Sequence, residues 1–595
     1  MATVTSVLQH GPEEIRQLPV KGFGRRSILQ GDVEKKRSCK LQSNRRIFFR
    51  PVASIQYSEH KIKAVEGHRP SLWANLSFSF DVKGQERCRE AIEALKEDVK
   101  SLVTAKDCKP SDKMILIDTM ERLGVAYLFE QEVGEQIDQI YKFDAEDGSD
   151  KDLFTTALYF RLFRQHGYDA PSSVFDKFKD EDNKFKKTLI SDINGLWSLY
   201  EASYLRYHGE DVLEEALVFT KHNLNQALPQ LDSLLKEKVS RALEIPIHRA
   251  AEIVEARYFI SFYETDESRN ELLLRLAKLN FKFLQNLYRK ELGDLTKWWN
   301  ELNATSELPY VRDRIVECYF WAVVIIFEPQ HSLSRLAVPK GIAMGTVLND
   351  TYDTYATLEE LEIFTEIVNR SDDKEIDRLP KYMKRIAHFL LTVYEEQERE
   401  ALKQGRSYAA SYALELLKLL PGAYLKKAKW YKGQEVPTFE DHTSIGAIVG
   451  GCNVLISPIF MNLASGSEEA VDWLKREPAI VVAASLLLRF FNDICTYERE
   501  QRTGQFPTAV DCYKIENGLS TQETLHKFIE FSEDQYKTIN KEWVASRVPR
   551  QFMKPALNYA RAVYVTYGRN ADGFSEPQKG IESDIVALLV DPITI

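Results

Sequence analysis

The sequence predicts an all-α fold, on three observations. From about residue 71 onward apolar residues recur at intervals of three and four, as at Ala91, Leu95, Val99 and Leu102, and that spacing lines one face of a helix. Strand-like alternation is rare, and no Asn-Gly or Asp-Gly hairpin joins two β-rich runs. Gly and Pro are sparse and fall at breaks, at Gly167-Tyr168-Asp169-Ala170-Pro171, Pro309, Pro329, Pro380, Pro421-Gly422 and Pro437. The expectation is a chain of helices, each roughly 10 to 25 residues long and joined by short loops, with no solenoid repeat.

Taken in order, the chain begins with a segment that does not read as a folded domain. Residues 1–60 carry eleven Lys/Arg against five Asp/Glu, while the whole chain of 595 residues has a net charge of -10. Two readings of this segment stand: an organellar transit peptide, which is Arg-rich and acid-poor, interrupted here by Glu13, Glu14, Asp32 and Glu34, or a disordered basic tail. No apolar run follows Met1, which argues against a secretory signal. Helical periodicity then continues to Thr265-Asp266-Glu267-Ser268, a polar turn and cap that marks a domain boundary. The longest apolar runs are 318–327, ten residues, and 479–488, ten residues with Ser485 inside. A bilayer span needs about 20, so both read as buried helix segments and no membrane span is expected.

The composition excludes further classes. With 44% hydrophobic and 28% charged residues the chain has the balance of a soluble globular protein with a large core. Its acidic body lacks the positive footprint that nucleic-acid phosphates need, but suits divalent cations. Seven scattered cysteines without a C-x-x-C pair argue against a disulfide framework or structural zinc.

Four constellations could carry chemistry. In Asn349-Asp350-Thr351-Tyr352-Asp353, Asn349 and Asp353 are four apart on one helix face, and Asp350 lies three before Asp353. The preceding residues are apolar, so this oxygen cluster ends a buried helix. Close carboxylates repel unless a cation lies between them, and Mg²⁺ binds through one or two carboxylates plus substrate phosphate. The second constellation is Asn492, Thr496 and Glu500, an oxygen stripe on one helix that again follows an apolar run, broken only by Arg489. Either string alone is common; two at the ends of two buried helices are not. The third is Arg312-Asp313-Arg314 after Pro309, where an extended backbone points both guanidinium forks to one side, as phosphate oxygens require. The fourth is aromatic: Trp298, Trp299, Tyr319, Phe320, Trp321, Phe327, Phe490, Phe491, Tyr567 and Phe574 lie in or beside these segments. Most are core, but a desolvated aromatic face attracts a cation by roughly 0.5–2 kcal/mol. Together these features describe a dry helical pocket that pulls a diphosphate off an apolar chain. Two acidic strings are decoys. Asp180-Glu181-Asp182-Asn183 lies among Lys177, Lys179, Lys184 and Lys186, and Asp372-Asp373-Lys374-Glu375 reads as a surface turn.

The chain resembles the plant terpene synthases, in particular class I cyclases of the sesquiterpene type, over residues 69–595. The anchors, in order, are Arg69-Pro70 and Trp73, the run from Tyr310 through Arg312-Asp313-Arg314 to Trp321, Phe327-Glu328-Pro329-Gln330, the acid motif at 349–353, Glu359-Glu360-Leu361, Arg378-Leu379-Pro380, and the motif at 492–500. The resemblance implies an extension at 1–65, an amino-terminal α-barrel domain at 66–268, and a catalytic domain of class I isoprenoid synthase fold at 269–595. It implies three Mg²⁺ ions, with Mn²⁺ as a substitute, bridging the enzyme and a prenyl diphosphate. Asn349 and Asp353, supported by Asp350, would hold metal on one side, and Asn492, Thr496 and Glu500 on the other. Arg312, Arg314 and Arg489 would take the diphosphate, which Asn349, Asp353 and Asn492 also help bind. Trp321 would face the allylic cation, Tyr567 and Asp572 would belong to a loop capping the pocket, and Val449-Gly450-Gly451 would form a helix break whose carbonyls point at the cation.

The chain departs from the family pattern at four places. Asn349 stands where Asp is usual, which removes one negative charge and weakens metal binding. Phe574 stands where an aromatic hydroxyl is often found. His68-Arg69 replaces a tandem arginine, and Ala74-Asn75 replaces Gly-Asp. The expected activity is Mg²⁺-dependent ionisation of farnesyl diphosphate by a monomer, releasing a sesquiterpene and diphosphate. The alternatives are a monoterpene synthase using geranyl diphosphate in plastids, a chain-elongating prenyltransferase, which would need a second aspartate-rich motif, and an inactive helical paralogue suggested by Asn349. A transit peptide would place the protein in a plastid; otherwise it is cytoplasmic.

Overall fold

Several helices begin where a capping side chain satisfies an orphan N–H group. The computed structural model describes residues 71–595 apart from positions 75, 77, 145–150, 371–372, 434 and 464–466. The extension at 1–65, His68-Arg69, Asn75 and Asp372 therefore lie outside the described residues. Helix α1 (Val82–Thr104) starts at Asp81, whose carboxylate accepts from the Gly84 N–H. There follow α2 (Pro110–Arg122), α3 (Glu130–Asp144), α4 (Leu153–Gln165), α5 (Ile193–Ser203), α6 (Asp211–Ala227), α7 (Ser233–Glu244) and α8 (Glu252–Thr265). Asp152, Asp192 and Asp232 cap α4, α5 and α7 in the same way; such a cap contributes about 1 kcal/mol.

The second half contains α9 (Glu271–Glu301), the short α10 (Ala304–Glu307), α11 (Ile315–Ile325), α12 (Ser332–Asp350), α13 (Leu358–Arg370), α14 (Lys381–Lys403), α15 (Ser407–Tyr431), α16 (Phe439–Val449), α17 (Cys452–Met461) and α18 (Ser467–Leu474). It closes with α19 (Ala479–Thr503), α20 (Ala509–Asn517), α21 (Thr521–Ala545), α22 (Arg550–Tyr567) and the short α23 (Glu582–Ile585). Reciprocal capping boxes open α16 (Thr438 with Asp441), α20 (Thr508 with Asp511) and α21 (Ser520 with Glu523). Among the described residues the only β pairing is an isolated bridge, Lys179 with Phe185. It closes the acidic loop at 180–183, where Asp180 accepts from the N–H groups of Asp182 and Lys184; that loop is a solvated turn.

Two expectations need correction. Pro421-Gly422 does not end a helix: α15 runs through it, because Leu420, Pro421, Ala423 and Tyr424 are buried there and packing outweighs the lost N–H. The chain also contains two stretches, Phe439–Met461 and Ala479–Thr503, that are long and apolar enough to cross a membrane. In each, 61% of the most apolar window is buried inside the fold, and Gly450-Gly451 interrupts the first.

All of α11 is buried, as expected of a helix apolar on every side. Its neighbours are fixed by buried polar contacts. Asn558 on α22 donates to the Ile325 carbonyl at 2.9 Å. Arg335 on α12 pairs with Glu291 on α9 through two bonds of 2.9 Å, and Tyr319 donates to the same carboxylate at 2.6 Å. The polar turn expected at 265–268 lies between α8 and α9, where Asp266 accepts from the Ser268 N–H and hydroxyl. Ile62–Ile595 nevertheless forms one compact unit. Glu533 on α21 receives Arg249 in two bonds (2.8 and 2.6 Å) and Arg206 in one (2.6 Å). At the front, the Trp73 indole donates to Glu317 on α11 at 3.0 Å.

Candidate active site

The acid motif owes its geometry to an irregular helix end. After Asp350, α12 continues as a π-helical turn over Thr351–Tyr355, a form often found at functional sites. The Thr351 and Thr354 hydroxyls donate back to the Val347 and Asp350 carbonyls, and such back-bonding bends helices. Asn349 and Asp353 then face each other, with the Asn349 amide donating to Asp353 Oδ2 at 2.7 Å. Asp350, expected beside them as metal support, faces elsewhere. One residue further round the helix, it meets the 311–314 loop and accepts from the Arg312 N–H (2.9 Å), Nε (3.0 Å) and Nη2 (2.7 Å).

Arg312 also donates to Asn349 Oδ1 (2.9 Å) and to the Ser575 hydroxyl (2.8 Å). Burial alone would favour a neutral guanidine, but Asp350, Asp572 and Tyr567 hold its pKa above the ordinary arginine value. Arg314, on the same non-helical segment, donates to the Phe574 carbonyl at 3.1 Å and the Ser575 carbonyl at 3.0 Å. Both arginines thus meet the carboxy-terminal loop, and the Arg312 guanidinium lies 5.8 Å from the Phe574 ring centre. The loop is tied down a second time where Arg499 on α19 donates to Asp572 at 2.8 Å. Burial would raise the Asp572 carboxyl, but Arg499 and the Ser575 donors outweigh it and hold it low. The Tyr567 hydroxyl is pushed up by burial and by Asp572.

The second oxygen edge is the expected stripe on α19. The Thr496 hydroxyl donates to the Asn492 carbonyl (2.8 Å) and to Glu500 Oε1 (2.9 Å). Arg489 donates to Asn492 Oδ1 (3.2 Å) and Asp493 Oδ1 (2.5 Å). Burial and the Asp493 charge push the Glu500 carboxyl up. Helix α15 stands against both edges: Tyr431 is pushed up by burial and by the charges of Glu500 and Asp353. Lys427 Nζ lies 3.6 Å from Asp353 Oδ2.

A helix break completes the pocket. Between α16 and α17, Gly451 has φ of +70°, which suits glycine. A Cβ on Gly450 would lie 2.4 Å from the Ser485 carbonyl oxygen, so α19 can pass close only to glycine. The Gly450 carbonyl accepts from the Tyr559 hydroxyl. Tyr559 packs edge-on against Trp321, with ring centres 5.6 Å apart, and the buried Trp321 indole N–H has no partner.

Among the described residues no three His, Cys, Asp or Glu side chains gather for a metal ion. Each edge instead mixes one carboxylate with amide or hydroxyl oxygens. The test of fit is Asp353, whose Oδ1 is buried without a hydrogen-bond partner. An unsatisfied carboxylate oxygen is costly and suits a hard cation. Sequence reasoning missed Lys427, Tyr431, Arg499 and Ser575. Tyr424, Lys427 and Tyr431 share one face of α15, and that spacing was the available signal, obscured by the flanking Lys426 and Lys429.

Two oxygen-rich helix edges, three arginines and a buried aromatic wall define a metal-assisted enzyme acting on a diphosphate ester. Residues 300–538 match the metal binding domain of the terpene synthase family and residues 72–243 match the terpene synthase N-terminal domain. The chain belongs to this family and is a terpene synthase enzyme. It is 44% identical over 536 residues to the gamma-cadinene synthase of Ocimum basilicum, covering 89% of this chain and 98% of that one. It is 43% identical to the gamma-curcumene synthase of Pogostemon cablin over 522 residues, 87% of this chain and 95% of that one. Among solved structures, isoprene synthase from grey poplar (Populus x canescens), in complex with three Mg²⁺ ions and dimethylallyl-S-thiolodiphosphate, is similar. Its TM-score is 0.80 at 30% identity, covering 85% of this chain and 98% of that one.

Proposed function

We propose that this protein is a sesquiterpene synthase that ionises farnesyl diphosphate and releases a hydrocarbon and diphosphate. The observation that carries this reading is the unpartnered Asp353 oxygen on an oxygen edge that shares Tyr431 with the Asn492–Thr496–Glu500 stripe. Names of curated relatives support the substrate, since gamma-cadinene and gamma-curcumene are sesquiterpenes.

The residues that would hold the metal are Asn349 and Asp353 on one edge and Asn492, Thr496 and Glu500 on the other. Bound there, Mg²⁺ would neutralise the diphosphate and make it a leaving group. Arg312, Arg314 and Arg489 are fixed cations near those edges, able to stabilise the negative charge that develops as the carbon–oxygen bond breaks. The 572–575 loop, held by Arg312, Arg314 and Arg499, excludes water that would quench a carbocation. Trp321 and Tyr559 supply aromatic faces to the cation.

The test is incubation of the purified protein, with and without residues 1–60, with farnesyl or geranyl diphosphate and Mg²⁺, followed by identification of the volatiles. A sesquiterpene that disappears on chelation is expected; consumption of geranyl diphosphate alone would overturn the substrate. The second reading, a monoterpene synthase in plastids, is favoured by the excess of basic over acidic residues in 1–60. Fusing residues 1–65 to a fluorescent protein tests the plastid address.

A further inference from the structure

The three arginines of the site already have partners. Arg312 is engaged by Asp350, Asn349 and Ser575, Arg314 by the Phe574 and Ser575 carbonyls, and Arg489 by Asp493 and Asn492. Lys427 on α15 differs. Its side chain is only 10% exposed, and among the described residues no acceptor lies within hydrogen-bond distance of its ammonium. The nearest oxygen is Asp353 Oδ2 at 3.6 Å, and the ammonium is within electrostatic reach of Asp493 and Glu500 on the opposite edge. Tyr424 and Tyr431 flank it with ring centres 6.0 and 5.6 Å away. A nearly buried lysine that makes a long ion pair but, among the described residues, no hydrogen bond, held between two oxygen edges, is a ready anion site.

We propose that Lys427 is a diphosphate-binding residue, its ammonium donating to phosphate oxygens between the two edges and holding the anion before divalent metal is present. This rests on the diphosphate-ionising reading of the site. Charge supports it. The first edge has a neutral amide at Asn349, and Asp350 is neutralised by Arg312, so Asp353 is its remaining carboxylate, and Lys427 balances it through a long ion pair. Such an edge repels an incoming anion less than a bare carboxylate pair would. The same contact makes Lys427 a competitor for Asp353, so removing the ammonium strengthens the pull of that edge on Mg²⁺.

The experiment is calorimetric titration of the full chain with inorganic diphosphate in chelator, then with Mg²⁺ alone. It compares the native protein with K427Q and K427R, with melting temperatures as a check on folding. The native protein is expected to bind diphosphate without metal. K427Q should bind it roughly tenfold or more weakly, the scale of a lost charge-assisted hydrogen bond, and should bind Mg²⁺ at least as tightly. K427R should retain most of the diphosphate affinity. A purely structural lysine would move both titrations in the same direction. If the native protein turns over a prenyl diphosphate but K427Q binds inorganic diphosphate undiminished, the lysine assignment falls alone. If the native protein binds no diphosphate with or without Mg²⁺ and turns over neither substrate, both readings fall.

Discussion

At the scale of residues, Asn349 has two roles that an aspartate could not combine. Its amide donates to Asp353 Oδ2 and its carbonyl accepts from Arg312, so the edge stays assembled without a cation. N349D removes the donor and sets two carboxylates face to face. The expected outcome is a lower melting temperature in chelator, a larger rise on adding Mg²⁺, and a roughly tenfold lower Mg²⁺ requirement for turnover, as one added carboxylate ligand would give; scanning calorimetry and a metal titration of activity check it. D353A should abolish turnover while leaving the fold intact, and full Mg²⁺-dependent activity in that variant would remove the metal assignment. The spacing of 349, 353, 492, 496 and 500 was legible in the sequence because a helix turns in fixed steps. That Asp350 faces Arg312 was not, because the partner lies 38 residues away and only the tertiary fold brings it there.

At the scale of elements, the helix break at Gly450-Gly451 was expected from the family resemblance, whereas the close packing that requires its glycines was not. The structure places the Ser485 carbonyl oxygen 2.4 Å from where a Cβ at 450 would be. G450A should therefore force α16 and α19 apart, lowering the melting temperature by several degrees for a cost of about 1–3 kcal/mol and altering product ratios. Product analysis by gas chromatography beside a thermal melt tests this. The π-helical turn had no signature in the sequence, since its threonines read equally well as ordinary helix. The acidic loop at 180–183 had a plain signature: its lysine-rich flanks marked it as solvated, and its carboxylate caps its own backbone. D182N should leave turnover within roughly twofold, as surface changes do; a larger loss would give that loop a role in the chemistry.

At the scale of the whole molecule, an all-α chain was legible because nearly every buried stretch repeats at helical spacing. The joining of the two halves was not, since it depends on single polar residues far apart in sequence. Glu533 has its pKa pulled down to about 2, Arg249 and Arg206 outweighing burial, so its stabilisation is full above the ordinary glutamate pKa of about 4.5 and is lost as pH falls toward 2. The contribution is roughly 2 kcal/mol once its partial exposure is discounted. His248 is pushed down to about 3 by burial and the neighbouring Arg561. The unfolded chain therefore takes up a proton below about pH 6.5 that the folded chain refuses, and stability falls with acid there too. Urea unfolding at roughly pH 7, 5 and 3 should show both losses, with E533Q flattening only the lower one. The contacts of Arg312 and Arg314 with the 572–575 loop have a further consequence. The guanidinium groups that would meet a departing anion are also those that hold the loop down. An anion that draws Arg312 away from Ser575 removes one tie of the loop, and by reciprocity that tie weakens the anion by the same free energy. Arg314 and Arg499 hold the loop independently of Arg312, so the pocket stays covered while one guanidinium is exchanged between the loop and the diphosphate.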